Sequence, residues 1–293
     1  MKPAPFDYYA PTTVEQALAH LAEHGDEAKV LAGGQSLVPM MNFRLVQPSV
    51  LVDLNPIPDL AYIKPDEDGG LRIGALTRHF QVEMDPLVAA RMPLLHEAVP
   101  KIGYPQVRRR GTFGGSICHA DPSAELVAVS VALNGRFRLR SPKGERWIPA
   151  QDFFIGLFTT VLLPGELLVE VALPPLPART GTSMMEVARR SHDFALVGVA
   201  AVVSLDGKGI IRQARMVFLS AGDRPMEARR AAEVLAGQAP TPEAIEAAAE
   251  TAASGDIDPS SDIHATAEFR RHLAKVLARR ALDQACQRAA EKE

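Results

Sequence analysis

Three features of the sequence predict an α+β protein in three lobes. The chain opens in the order helix, strand, loop, strand; prolines concentrate at residues 174–181 between two strand-like segments; and beyond them three strand-like runs precede three Ala-rich helical stretches. With 293 residues, 47% hydrophobic and 23% charged, the chain is long enough to bury two or three compact cores. A folded, soluble protein is expected.

Each element follows from a local pattern. In the first lobe, expected over residues 1–57, Thr12 and Glu15 have capping-box spacing, and Val14, Ala17, Leu18, Leu21 and Ala22 form one apolar stripe ending at His24-Gly25. A strand follows at about 28–32, then a Gly33-Gly34 turn, an irregular stretch QSLVPMMNFRL and a strand at 49–54. The central lobe, 58–176, begins with two short strands flanking KPDEDGG, a composition suited to a hairpin. Thr77 is expected to cap a short helix, and DPLVAARMPLLHEAVPKI to form one or two helical segments interrupted at Pro93. Arg108, Arg109 and Arg110 fall in a solvated polar loop. A second Gly-Gly turn, Gly114-Gly115, leads to Asp121-Pro122, the expected N-cap and first-turn pair of a helix reaching about Leu133. Strands RFRLRS, RWIPA and ELLVEVAL complete this lobe. The third lobe, 177–293, reads as a three-stranded antiparallel sheet, SMMEVARR, FALVGVAAVVSL and IIRQARMVFLSAG, with helices after it, the last from about Thr266.

Composition excludes several functions. A formal net charge of -3, with Lys and Arg spread along the chain, gives no electrostatic reason to expect nucleic acid or an anionic membrane. No apolar stretch is long enough to span a bilayer and MKPAPFDYYAPTT does not read as an export signal, so a cytoplasmic location is expected. Cys118 and Cys286 stand far apart without a C-x-x-C pair, and these cysteines therefore argue against a zinc site, an iron-sulfur site or a disulfide framework. Any such cluster belongs to another chain.

The two glycine pairs carry the chemical signal. Glycine accepts positive φ and lets a ligand approach the backbone without a Cβ in the way, so consecutive glycines can aim several amides at one anion. Gly33, Gly34, Gln35 and Ser36 form one candidate; Gly114, Gly115 and Ser116, flanked by Thr112, form another. Neither contains Lys or Arg, which suits a pyrophosphate linking two nucleoside halves better than a reactive terminal phosphate. The G-x-G-x-x-G and G-x-x-x-x-G-K-[ST] signatures are absent. A dinucleotide on another fold is implied.

LAGGQSLVPMMNFRLVQPSVLVDL together with IGYPQVRRRGTFGGSICHADPSAEL closely resembles the FAD-binding medium subunit of molybdenum hydroxylases, the group containing xanthine dehydrogenase and carbon monoxide dehydrogenase; VARRSHDFALVGVAAVV extends the resemblance into the third lobe. It implies a vanillyl-alcohol-oxidase (PCMH-type) fold, with FAD shared between the first two lobes and the third lobe packing near the flavin. By motif position, Ala32, Gly33, Gly34, Gln35, Ser36, Leu37 and Val38 would wrap the pyrophosphate, and Thr112, Gly114, Gly115 and Ser116 would hold its other side. Ile102 and Gly103 would line the same cleft, His119 and Glu125 would face FAD, and Leu167 or Leu168 would pack against its flavin or adenine portion. Taken without the motif, His119 reads as an ordinary loop histidine and Glu125 as an exposed first-turn carboxylate favoured by the helix dipole.

The resemblance also implies a division of labour. A large molybdopterin subunit would oxidise the substrate, a small subunit with two 2Fe-2S clusters would conduct electrons, and this chain would pass them through FAD to an external acceptor, in a dimer of heterotrimers. No catalytic residue is then expected here. One departure stands out: many relatives carry a lysine just before the paired arginines of the third lobe, where a cation would stabilise negative charge on the flavin, whereas this chain has Met185 and Glu186, leaving Arg189 as the candidate cation. Two rival readings are a self-sufficient flavin oxidoreductase, which needs a longer substrate-binding lobe, and an assembly protein without flavin, which has no use for both glycine pairs.

Overall fold

The structure is a computed structural model and describes residues 1–292. Its N-terminal part is a three-stranded parallel sheet in which Val50–Asp53 lies between Asp7–Tyr9 and Ala28–Leu31. Asp7–Tyr9, only three residues long, is a strand that the sequence pattern did not announce. Helix Val14–His24 crosses between the two edge strands, as parallel pairing requires. Its cap lies one residue later than the sequence spacing suggests: the Thr13 hydroxyl accepts from the Gln16 amide, and the Gln16 side chain accepts from the Thr12 amide. Val14, Ala17, Leu18 and Leu21 are buried, whereas Ala22 is exposed. The stretch expected to be irregular contains a helix, Leu37–Asn42; Pro39 is tolerated because it falls in the first turn, where its missing N–H costs nothing.

The central part is an antiparallel five-stranded sheet, ordered Ile63–Pro65, Leu71–Gly74, Leu167–Leu173, Arg136–Ser141, Gly144–Pro149. Short helices cover it, among them Pro86–Arg91 and Pro93–Ala98, separated at Met92 just before Pro93. Thr77 caps no helix: it is buried, and its hydroxyl donates to the Tyr62 carbonyl at 2.9 Å. The three arginines end a helix, Pro105–Arg110, instead of lying in a loop. Asp121 likewise closes a turn by accepting from the Ser123 amide, and the helix it was expected to cap begins later, at Glu125, and ends at Ala132. Every residue of Glu125–Ala132 is buried, as befits a helix enclosed on all sides.

The C-terminal sheet has four strands and not three: Thr180–Ala188, Ala195–Leu205 and Ile211–Leu219 are joined at the edge by the two-residue Met226–Glu227. Alternation along these strands serves two cores. Val197, Val199, Ala201 and Val203 face the C-terminal helices, while Ala200, Val217 and Leu219 join the central core. Helix Ala267–Ala290 buries a stripe of alanines, Ala274, Ala278, Ala281, Ala285 and Ala289. Gly181 lets it approach closely, because a Cβ there would collide with the Ala285 carbonyl.

Candidate functional site

The two glycine segments meet. Gly33 lies so close to Arg110 and Gly111 that a Cβ on it would overlap the Arg110 carbonyl oxygen and come within 2.8 Å of Gly111 Cα. A Cβ on Gly115 would lie 3.6 Å from Ala32 Cβ. Thus Ala32–Val38, issuing from the parallel sheet, packs directly against the segment 110–116 of the central lobe. In the first segment, Gly34 takes φ 71°, and the Gln35 side-chain amide donates to the Gly33 carbonyl at 3.1 Å. The amides of Gly33, Gly34, Gln35 and Ser36 find no acceptor among the described residues, whereas the Val38 amide donates to the Gly34 carbonyl. Four adjacent donors are left for water or a ligand, since backbone N–H groups are otherwise nearly always paired.

The second segment differs from the expected turn. Gly114 and Gly115 lie in the first turn of helix Phe113–His119, with Thr112 as its N-cap. Their amides are engaged: Gly114 donates to the Ala75 carbonyl at 2.8 Å, Gly115 to the Thr112 hydroxyl at 3.1 Å and Ser116 to the Thr112 carbonyl. This is no anion nest. Glycine is needed here because a Cβ on Gly114 would stand 2.6 Å from Ala75 Cβ, and one on Gly115 2.6 Å from the Thr112 hydroxyl. Close approach of helix to sheet, and a smooth surface toward residue 32, are what this pair provides.

Supporting residues to which the sequence assigned no role at the site fix both segments. Tyr8 donates to Asp53 at 2.5 Å, Asp53 accepts from the Asn55 amide at 2.9 Å, and the Asn55 side chain donates to the Ala32 carbonyl at 2.8 Å. Arg78 then bridges the seam, donating to Asn55 Oδ1 and to the Arg110 carbonyl. Buried His79 faces the Thr112 carbonyl through Nε2 at 2.9 Å; burial depresses its pKa to about 4, so the ring is neutral and its Nε2–H is the donor. Arg108, expected in solvent, is buried: it pairs with Glu83 at 2.8 Å and donates to the Ile102 and Gly103 carbonyls at 3.1 and 2.7 Å. It thereby holds the Ile102–Gly103 turn, where Gly103 has φ 45°. Most of these roles are identified by partners distant in sequence.

The remaining candidates separate into two groups. His119 is half-buried with its ring 5.0 Å from that of Phe158, and burial lowers its pKa. Glu125 is buried and not exposed: desolvation, reinforced by the charge of Glu186, pushes its carboxyl up to about 8, with Lys101 opposing. Burial also raises Glu186, again against Lys101, and one Glu186 oxygen has no partner among the described residues. The cation influencing this carboxyl pair is therefore Lys101; Arg189 lies beyond the strand end at Ala188 and is exposed. Leu167 and Leu168 are spent internally, the first in the N-terminal core and the second in the central core. Their side chains join the two cores and offer little free surface. Cys118 packs against the central core, and burial pushes its thiol up to about 12, far from a reactive thiolate.

A parallel-sheet lobe and an antiparallel lobe meeting on two glycine segments define a two-lobe nucleotide-binding protein. Residues 4–176 match the model described as the FAD binding domain in molybdopterin dehydrogenase, and 183–285 that of the CO dehydrogenase flavoprotein C-terminal domain. The chain is 42% identical over 289 residues to the 6-hydroxypseudooxynicotine dehydrogenase complex subunit alpha of Paenarthrobacter nicotinovorans, covering 99% of this chain and 97% of the relative. It is 38% identical over 290 residues to the carbon monoxide dehydrogenase medium chain of Hydrogenophaga pseudoflava, covering 99% and 100%. A solved structure of carbon monoxide dehydrogenase from that organism superposes with a TM-score of 0.95 at 38% identity, over 98% of this chain and 99% of the other. The chain belongs to the family of FAD-binding medium subunits of molybdenum hydroxylases. It is an oxidoreductase subunit, its own cofactor is FAD, and other cofactors of such complexes sit in other subunits.

Proposed function

We propose that FAD lies along the seam of the lobes 1–57 and 58–176, with its pyrophosphate on the amides of Gly33, Gly34, Gln35 and Ser36, and that the lobe 177–293 closes the flavin end. The observation that carries this reading is the run of four unpaired amides on a loop without Lys or Arg. Donors of this kind suit a shared, non-reacting diphosphate. Ala32, Leu37 and Val38 flank it. Thr112, Gly114, Gly115 and Ser116 form the opposite wall, where the Ser116 hydroxyl and the absence of Cβ atoms matter more than backbone donors. Ile102, Gly103, His119 and Glu125 surround the remainder of the cleft, with Glu125 protonated at neutral pH and so able to donate from its carboxyl.

FAD supplies the redox chemistry; this chain binds and orients it, and tunes it through Lys101, Glu125 and Glu186. The partners are a large molybdopterin subunit, where substrate is oxidised, and a small subunit with 2Fe-2S clusters, in a cytoplasmic dimer of heterotrimers that discharges to an external acceptor. No helix of the described residues is long and apolar enough to cross a membrane. The chain's family supports the partner reading, and its surface offers exposed Ile155, Leu157, Phe158 and Leu163 as docking contacts. Visible absorption of the purified chain, with heat release and mass identification of the cofactor, tests the core of the proposal. FAD in the supernatant, lost in Gly33→Asp, is expected; a folded chain that takes up no FAD even when coexpressed with its two partner subunits overturns it.

A further inference from the structure

The C-terminal end of helix Val14–His24 carries a cluster that flavin binding does not use. The sequence HLAEH places His20 and His24 four residues apart and Glu23 three after His20, so all three side chains gather on one face. His20 Nδ1 and His24 Nε2 lie 4.0 and 3.8 Å from one Glu23 carboxylate oxygen, and the three ligand atoms all fall within 4.8 Å of one another. Both nitrogens are buried and have no hydrogen-bond partner among the described residues. Such orphaned ring nitrogens are costly unless something occupies them. Glu23 makes no ion pair with Lys or Arg among the described residues, and its side chain is 69% exposed.

We propose that His20, Glu23 and His24 form a binding site for a divalent transition metal of the zinc type. Two imidazole nitrogens and one carboxylate oxygen are a three-ligand set that leaves one position for water, and the exposed side of Glu23 supplies that opening. Imidazole selects zinc-like ions over calcium or magnesium, which prefer all-oxygen shells. Tetrahedral zinc places its ligand atoms about 3.3 Å apart, so the site closes through a small shift of the exposed Glu23 side chain together with the two imidazoles, whose nitrogens lie within 4.8 Å of each other. Tyr9 stacks on His20 with ring centroids 4.3 Å apart and on His24 at 5.2 Å, and the two imidazole planes are within 8° of parallel. A bound ion would fasten the last turn of this helix beneath the edge strand Asp7–Tyr9 that contributes Tyr9.

The test uses the untagged full-length chain, stripped with a chelator, titrated with zinc chloride by calorimetry and with cobalt(II) by absorption spectroscopy. One equivalent binding in the micromolar range or tighter, with tetrahedral cobalt bands, is expected. His20→Gln and His24→Gln should each weaken it at least tenfold, and Glu23→Gln severalfold, while flavin absorbance and melting in chelator stay at wild-type values. Absence of a stoichiometric zinc equivalent overturns the proposal. So does wild-type affinity in the His20→Gln/His24→Gln double variant, which would place the ion elsewhere; and because Glu23 is exposed, unchanged affinity in Glu23→Gln overturns its part even if a histidine variant folds poorly.

Discussion

The two glycine pairs look alike in sequence and do different things. Gly33-Gly34 forms an open turn whose amides are unspent, with Gly34 at positive φ; Gly114-Gly115 lies in a helix whose amides are already bonded. The first pair is a donor array, the second a packing surface. A Gly-Gly pair therefore does not by itself signal an anion nest: what decides is whether an N-cap such as Thr112 absorbs the amides that glycine exposes.

The largest expected contrast concerns pH. Residues 32–38 carry no titratable side chain, whereas the second segment leans on neutral His79 and leads into buried Glu125. The His79 pKa is depressed to about 4, so the unfolded state binds the extra proton between about 6.5 and 4 and stability falls as pH drops through that window. The Glu125 pKa is raised to about 8, so the folded state holds the extra proton above the ordinary carboxylate range and stability falls as pH rises from about 4.5 toward 8. Urea denaturation across pH should show Glu125→Gln removing the fall in stability between about 6.5 and 8, above the His79 window; an unchanged fall there would mean that Glu125 is ionised in the native protein.

Next in size is Gly33→Ala. Its Cβ would overlap the Arg110 carbonyl, and forcing the seam apart should cost about 2–3 kcal/mol, with bound FAD lost as the two segments separate. Retention of full FAD occupancy and stability would show that the seam is not shared. Thr112→Val removes the cap that occupies the Gly115 amide and should cost about 1 kcal/mol, with Thr112→Ser restoring most of it by thermal melting. Equal melting of the two variants would remove the cap from the account of the second segment.

Much of this was legible in the sequence, for identifiable reasons. Apolar periodicity placed helix Val14–His24 and the strands of the C-terminal sheet because those elements pack one regular face. The glycine motifs located both segments of the seam. Other features escaped because their cause is distant in the chain: Arg108 reads as a solvated charge until Glu83 and the Ile102–Gly103 carbonyls are beside it, and Asn55 and Arg78 acquire meaning only where three segments meet. Glu125 looked exposed because helix-dipole reasoning is local, whereas its burial comes from a whole sheet folding over the helix.

The substitution Gly34→Ala, whose stability effect is of the same order as that of Thr112→Val, is the most discriminating. Gly34→Ala keeps a side chain within reach of accommodation, since its Cβ would lie 3.2 Å from the flexible ends of Leu31 and Val38, but it must hold φ near 71°, at a cost of about 1–2 kcal/mol for an L-residue. The chain can escape that cost by relaxing the turn, and relaxation re-aims the amides of Gln35 and Ser36. If those amides hold the pyrophosphate, FAD affinity should fall far more than unfolding stability does, whereas Gly115→Ala, which collides with Thr112, should lose stability first. A Gly34→Ala chain that binds FAD with unaltered affinity would mean that the first pair is, like the second, a packing device, and that the cofactor's phosphates rest elsewhere on the seam.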